Sequence, residues 1–215
     1  NCKSEDERTR TDELIRPILR GRDIKRYSYE FADLYLITTF PSLKIDIEQY
    51  PAVKQHLLSF GYDRLKQTGD KGSRKKTNNK WFETQDSISY WEDFYKQKVV
   101  YPETTQGAYF AFDDKQMFID KTCFMLISKH AIYIQKTLSS KLFEFAYKCI
   151  FSSIELGTNG YQYNKHALVK LPISSNNKAI ITIENLSDDL KINQVIYNLY
   201  ELTNEEIQFI ENRQG

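Results

Sequence analysis

The sequence predicts an α+β fold, with a mixed sheet, flanking helices and a C-terminal helical pair. Three observations predict it. Short apolar runs between turn residues fill positions 98–127, an apolar run with helical spacing begins at Leu138, and two amphipathic segments lie after position 190. The 215 residues are enough for one domain with a real core and a small appendage.

The N-terminal part of the chain shows fewer regular elements. Residues 1–13 are polar and are interpreted as a solvated leader. The apolar run 34–40 predicts a strand that ends at Pro41, and Pro51 suits the first turn of a helix. The apolar residues that follow Pro51 share one helical face: Val53, Leu57 and Phe60.

Residues 98–127 are expected to form the sheet. The apolar runs 99–101, 108–112, 117–119 and 123–127 are separated by Pro, Gly or Asp, which is typical of short strands joined by turns. From Leu138 the spacing changes to three and four, which predicts a helix with Thr137 or Ser139 as its N-cap. The apolar face of this helix consists of Leu138, Leu142, Phe145, Ala146 and Cys149.

Two helices are expected in the C-terminal tail. The first has its apolar residues over positions 192–199, and the second begins at Thr203, which forms a capping-box pattern with Glu206. We therefore expect a leader over residues 1–13, a main domain over 14–173, and a helical tail over 174–215 that packs on this domain.

Charge is distributed unevenly although the net charge is only +1. The segment 64–80 is strongly basic, and the region after residue 184 is acidic. Residues 67–80 include no apolar side chain, so this segment is predicted to be an exposed, mobile loop. A second basic cluster, interleaved with apolar and aromatic residues, occupies positions 16–26. Basic clusters of this kind suit contact with a polyanion.

The composition argues against several other classes of protein. The apolar runs are too short for a membrane span, and the polar N-terminus resembles no signal peptide. Cys123 and Cys149 lie among apolar neighbours and are predicted to be buried thiols, which makes a cytoplasmic location the default. The histidines and cysteines show no metal-ligand spacing. Because the chain lacks a starting Met, we expect it to be a piece of a larger protein.

Four segments, in order, resemble the TaqI-like C-terminal specificity domain, the target recognition domain of type IIG restriction-modification DNA methyltransferases. The first is Gly-Arg-Asp-Ile-Lys-Arg-Tyr at 21–27, and the second is Lys-Trp-Phe-Glu-Thr-Gln at 80–85. The third is Leu-Ser-Ser-Lys-Leu at 138–142, followed by Leu-Pro-Ile at 171–173. The fourth is the helical pair over 192–207. Together these segments extend over nearly the whole chain.

This resemblance implies a domain that docks on double-stranded DNA and gives sequence selectivity to a linked adenine methyltransferase. The glycine-rich cofactor loop and the Asn-Pro-Pro-Tyr-type motif of that methyltransferase do not occur here. We therefore expect the chain to be non-catalytic by itself, with no catalytic residue, no metal and no cofactor. S-adenosylmethionine would bind the missing methyltransferase domain.

The basic residues Arg22, Lys25 and Arg26 are candidate DNA contacts. Cations at such positions would clamp phosphates and release counterions, without reading sequence. The alternative is a solvated edge, or pairing with a carboxylate inside the domain.

Two loops supply the other candidate contacts. The basic loop, residues 66–80, contributes these cations: Lys66, Lys71, Arg74, Lys75, Lys76 and Lys80. Gln85 follows Trp81, which we expect to anchor the return of the loop to the core. A second loop over 158–163 contributes Asn159, Tyr161 and Gln162, because amide side chains can hydrogen-bond base edges. The alternatives are a plain surface insertion for the first loop and an ordinary helix cap and turn for the second.

Two other functions remain open. The aromatic surface and acidic helices would suit a protein-interaction module in which the basic loop is incidental. A nuclease site would need a carboxylate cluster, and Asp23-Ile24-Lys25 with Asp12 upstream matches such a pattern only loosely.

Overall fold

The computed structural model describes residues 2–151 and 160–213. The chain divides into two compact units. The first unit contains Asn1–Ile18 and Asp33–Asp93, and the second contains Leu19–Ala32 and Phe94–Gly215. Helices and short strands occur together, which confirms the predicted α+β class. In the described part of the chain, none of the helices has the length and apolar composition needed to cross a lipid bilayer.

The first unit begins with a helix where the sequence indicated a solvated leader. Helix α1 spans Glu5–Leu14, and the Ser4 hydroxyl caps it by accepting from the Glu7 N–H at 3.1 Å. Glu7 and Leu14 are buried. The Glu7 carboxylate accepts from the Ala52 N–H at 2.8 Å, which ties α1 to a later helix. The segment interpreted as a leader is therefore an ordered, largely exposed helix, because capping and this tether compensate for its polar composition.

The remaining elements of the first unit surround a small apolar core. Strand β1 (Ile15–Leu19) pairs antiparallel with β2 (Tyr35–Ile37), which is shorter than the predicted strand over 34–40. Helix α2 spans Pro51–Leu58, with its proline in the first turn as predicted, and α3 spans Tyr62–Leu65. The buried core residues are Leu14, Ile45, Ile47, Val53 and Phe82.

The second unit contains the predicted strands of the 98–127 region. Its central strand β3 (Lys98–Pro102) lies between β5 (Ala111–Asp113) and β7 (Cys123–Ile127), antiparallel to both. A separate antiparallel ribbon joins β4 (Thr104–Thr105) to β8 (Tyr161–Gln162). Strand β6 covers Phe118–Ile119. Cys123 is buried, as predicted.

The helices of the second unit follow β7. They are α4 (Ala131–Leu138), α5 (Lys141–Phe151), α6 (Lys165–Leu168), α7 (Asn177–Asn185), α8 (Asp189–Leu199) and α9 (Asn204–Asn212). The capping box of Thr203 and Glu206 at the start of α9 is confirmed. The helix expected from Leu138 instead begins at Lys141, after a separate helix that the sequence interpretation missed. The exposed position of Cys149 on α5 contradicts its predicted burial.

Aromatic side chains form much of the core of the second unit. The Tyr163 ring centroid lies 4.8 Å from that of Phe110 and 4.6 Å from that of Tyr147. Tyr101 and Tyr161 extend the same cluster. These large rings are almost fully buried, and Tyr101 and Tyr161 lie on strands β3 and β8, so the cluster fixes these strands in the core.

Candidate functional site

The basic loop of the first unit is closed by hydrogen bonds of its own backbone. The Arg74 N–H donates to the Lys66 carbonyl at 3.1 Å, and the Thr77 N–H donates to the Gln67 carbonyl at 3.1 Å. Nearer the tip, the Gly69 N–H donates to the Arg74 carbonyl at 3.0 Å. The two arms of the loop are therefore held side by side. Composition alone, which indicated a mobile segment, does not predict this frame.

Gln67 connects the base of the loop to the chain that follows it. Its buried amide nitrogen donates to the carbonyls of Lys80, at 3.1 Å, and Glu83, at 2.7 Å. Its amide oxygen accepts from the Thr77 hydroxyl at 2.6 Å. An amide can donate and accept hydrogen bonds at once, so this one side chain links the loop to the segment that follows it. Sequence reasoning missed this residue, because nothing local distinguishes it from the exposed amides nearby.

Arg74 serves the same frame and is not available to DNA in the way the sequence suggested. Its guanidinium donates to the Glu83 carbonyl at 2.8 Å and to the Trp81 carbonyl at 2.9 Å. Partial burial lowers the pKa of Arg74 below its ordinary value. Trp81 packs against the apolar core of the first unit, in agreement with its predicted anchoring role. We therefore assign Arg74 as the tether that holds the loop to this anchor.

Three lysines remain on the outside of the loop. Lys71 and Lys76 are exposed, and neither has a hydrogen-bond or ion-pair partner among the described residues. Lys75 is exposed too, with its Nζ 3.2 Å from the Asp86 carboxylate. An ion pair this exposed is weak, so Lys75 can exchange its partner for another anion. These three side chains form the cationic surface of the loop.

The other predicted residues of the first unit are more constrained. The Lys66 ammonium lies 2.9 Å from the Asp63 carboxylate, which raises the pKa of Lys66. Lys80 donates to the Ile45 carbonyl at 3.3 Å. Gln85 is half-buried, and its carbonyl accepts from the Asn79 amide at 3.1 Å.

Tyr62 adds an aromatic surface beside the base of the loop. Its ring is 52% exposed, and its centroid lies 5.8 Å from that of Trp81. An exposed aromatic ring near lysines is typical of surfaces that bind nucleic acid. Sequence reasoning did not single out Tyr62, although its position four residues before Lys66 was a usable signal.

In the second unit, the basic cluster separates into internal and exposed cations. Arg20 donates two side-chain hydrogen bonds to the buried Asp23 carboxylate, at 2.9 and 2.8 Å. These bonds hold the pKa of Asp23 below its ordinary value. Asp23 was the acidic residue of the nuclease-like triplet, and its oxygens are occupied by this arginine. Within residues 2–151 and 160–213, no group of three or more His, Cys, Asp or Glu side chains is placed to hold a metal ion.

Arg26 is half-buried and has partners within the second unit. Its guanidinium lies 3.0 Å from the Asp189 carboxylate and donates to the Ser139 carbonyl at 2.9 Å. It also stacks over the Tyr27 ring, 4.9 Å from the centroid. The predicted phosphate contact at Arg26 is therefore not supported, and the alternative of internal pairing applies to this residue.

Arg22 and Lys25 are exposed and line a cleft of about 650 Å³. The Lys25 ammonium donates to the Arg22 backbone carbonyl at 3.1 Å, which holds this cation against the backbone at Arg22. The polar residues that line the cleft with them are Glu103, Thr104, Thr105, Gln106, Asp120 and Thr122. Arg20, paired with Asp23, lines the cleft as well. The cleft thus combines the exposed cations Arg22 and Lys25 with neutral and acidic hydrogen-bonding groups.

The second predicted loop is altered by the structure. Tyr161 is only 2% exposed, and its hydroxyl lies 3.2 Å from that of Tyr163 inside the aromatic core. Burial raises the pKa of Tyr161. The prediction that Tyr161 contacts DNA is therefore wrong. Gln162 is half-buried on β8, opposite Thr104. Asn159, like Thr158, lies outside the described residues.

The chain matches the model of a known protein family. The model of the TaqI-like C-terminal specificity domain matches residues 16–173, which is more than half of the chain. This match includes the basic loop of the first unit and the cleft residues of the second.

Proposed function

Since the chain belongs to the family of TaqI-like C-terminal specificity domains, we propose that it recognises a short sequence in double-stranded DNA. In this proposal it acts for a linked adenine methyltransferase of a type IIG restriction-modification system in the cytoplasm. The chain itself carries no catalytic step. The linked domain binds S-adenosylmethionine and performs the methyl transfer, with the target adenine turned out of the duplex.

The basic loop is the observation that carries this proposal. Lys71, Lys75 and Lys76 lie exposed on a frame that Gln67 and Arg74 hold in place. A surface lysine on an ordered loop loses less conformational entropy when it binds a phosphate than one on a disordered chain. Each phosphate contact also releases condensed counterions, which makes binding depend steeply on salt. The loop thus supplies affinity and register on the duplex.

The test is binding of the 215-residue chain to randomised duplex DNA across a salt series. The decisive variant changes Lys71, Lys75 and Lys76 to Ala. We expect weaker binding, and a slope of log K against log salt that is smaller by roughly two to three units, at about 0.9 per phosphate contact. The matched control changes Lys115, Lys129 and Lys191 to Ala. These lysines of the second unit are exposed as well, and their loss alters the net charge equally.

If the control triple variant weakens DNA binding as much as the loop variant does, the net charge of the chain alone attracts the DNA. Binding that does not depend on salt would contradict the proposal outright.

One feature favours the alternative of a protein-interaction role. An apolar groove of about 450 Å³ lies between α5 and α9, with Leu142, Phe145 and Phe209 in its lining. Phe209 is 50% exposed, and Glu205 borders the same groove. Burial of such a surface against a partner would depend weakly on salt, so the same salt series separates this function from DNA binding.

A further inference from the structure

The turn over residues 105–109 is tightly built. The Thr105 hydroxyl donates to the Gly107 carbonyl at 2.7 Å and accepts from the Gly107 N–H at 3.2 Å. The Tyr109 N–H donates to the same carbonyl at 2.8 Å. A Cβ at Gly107 would lie 2.9 Å from the Tyr109 ring, so any larger residue here would require that ring to shift. The turn is therefore fixed in one shape before any ligand arrives.

The base of the cleft is anchored as firmly as this turn. The Glu103 N–H donates to the Thr122 carbonyl, and the Glu103 carbonyl accepts from the Tyr163 N–H, both at 2.8 Å. The Gly21 N–H donates to the Thr122 hydroxyl at 2.8 Å. These bonds join the segment before Arg22 to the strand that leads into the turn. The cations and the turn consequently share one rigid support.

Gln106 stands at the tip of this turn. It is exposed, it lines the cleft together with Arg22 and Lys25, and its amide has no hydrogen-bond partner among the described residues. By contrast, the Asp120 carboxylate in the same cleft already accepts from the N–H and hydroxyl of Thr122. The Gln106 amide is thus free to donate and accept hydrogen bonds at the same time.

We propose that Gln106 reads the edge of one base, with a preference for adenine, while Arg22 and Lys25 bind the phosphates beside it. The amide of glutamine matches the N6 donor and N7 acceptor of adenine in the major groove, whereas a lone ammonium does not. Cations next to a base-reading group set the register in which that group meets its base. The inference rests on the proposed function and adds the residue that determines specificity at one base pair.

The experiment selects bound sequences from a randomised duplex pool with the wild-type chain and with the variants Gln106→Ala and Gln106→Glu. For wild type we expect one enriched sequence. Gln106→Ala should lose the preference for an A·T pair at one position by about 10- to 100-fold and keep the salt slope. Gln106→Glu should move that preference toward cytosine, because a carboxylate accepts from the cytosine N4 amine.

Two further variants serve as controls. Arg22→Ala should weaken binding to all sequences alike and reduce the salt slope by about one. Gln208→Ala removes an exposed glutamine from α9 and should leave the selected sequence unchanged. Thermal unfolding of each variant checks that the fold is intact.

The outcomes separate this inference from the proposed function. If wild type selects a sequence and both Gln106 variants select the same one, the inference is overturned while the proposed function stands. If wild type binds DNA in a salt-dependent manner but enriches no sequence, the inference is likewise overturned. If wild type shows no salt-dependent binding to any duplex, the proposed function itself fails, and the inference fails with it.

Discussion

Lys98 and Asp113 form an ion pair in which both side chains are fully buried, with Lys98 Nζ 2.5 Å from Asp113 Oδ2. The ammonium also donates to the Phe94 carbonyl at 2.6 Å. The carboxylate also accepts from the Tyr29 hydroxyl at 2.8 Å and from the Met117 N–H at 3.0 Å. The pair therefore joins β3, β5 and the segment containing Tyr29 through a network of hydrogen bonds.

Breaking this pair should destabilise the second unit strongly. Lys98→Met leaves the Asp113 carboxylate buried without its cation, and we expect a loss of about 3–5 kcal/mol in the free energy of unfolding. Urea denaturation measures the change. Lys121→Met, at an exposed position, should stay within about 0.5 kcal/mol of wild type. A loss below about 1 kcal/mol for Lys98→Met would mean that the buried pair contributes little.

Arg74→Ala and Lys76→Ala should affect different properties, although both residues are cations of one loop. The first should lower stability, and the second should weaken DNA binding. Arg74→Ala removes two hydrogen bonds from a charged donor, and we expect a loss of about 1.5–3 kcal/mol in stability. Faster hydrogen exchange of the Gly69 and Thr77 backbone amides, which bond across the loop, should accompany that loss. Lys76→Ala should leave stability within about 0.5 kcal/mol and should instead weaken DNA binding. Equal stability for the two variants would refute the assignment of Arg74 as a tether.

The pairing of Asp23 with Arg20 should make stability depend on pH in the acid range. Because these hydrogen bonds lower the pKa of Asp23 in the folded state, the stabilisation is complete above the unfolded pKa of about 3.9. It is lost as the pH falls through the lower folded value. The free energy of unfolding is measured from pH 6 to pH 2, over roughly four pH units, at constant ionic strength. It should fall less steeply with decreasing pH for Asp23→Asn than for wild type. A decline as steep as in wild type would contradict this contribution.

The cysteines should differ in reactivity toward a thiol reagent. Burial raises the pKa of the Cys123 thiol to about 12, so little of the reactive thiolate forms near neutral pH. Cys149 is exposed and should react quickly in the folded chain, with Cys123 following only on unfolding. Mass spectrometry after timed labelling with a maleimide measures both rates, and Cys149→Ser should remove the fast reaction at that site. Rapid labelling of Cys123 under native conditions would be inconsistent with its buried position.

The sequence was most informative where local patterns decide the structure. The strands between residues 98 and 127 were predictable because turn residues interrupt their apolar runs, and the α9 cap was predictable from Thr203 and Glu206. It misled at Leu138, where apolar spacing continues across the break between two helices. There the Ser140 hydroxyl donates to the Thr137 carbonyl at 2.7 Å and accepts from the Phe143 N–H at 3.4 Å. Because Ser140 ends one helix and begins another without interrupting the apolar periodicity, the sequence pattern does not reveal this break.

The candidate site was only half predictable for a related reason. Charge can be read from composition, so the basic loop and the pair Arg22 and Lys25 were found. Whether a cation faces solvent or a carbonyl depends on distant partners, as when Arg26 meets Ser139 across 113 positions. The position of Gln106 in the cleft could not be predicted either, because it depends on a turn and a cleft assembled from separate segments.

The division into two units also gives the chain a built-in optical probe. Both tryptophans, Trp81 and Trp91, belong to the first unit, whereas the second unit contains the clustered tyrosines of its core. Tryptophan emission will therefore report on the unit that carries the basic loop, and the Trp81 carbonyl receives the Arg74 tether directly. Excitation at the red edge of the absorption band selects tryptophan over tyrosine, so it can follow the first unit through unfolding or DNA binding without a label being added.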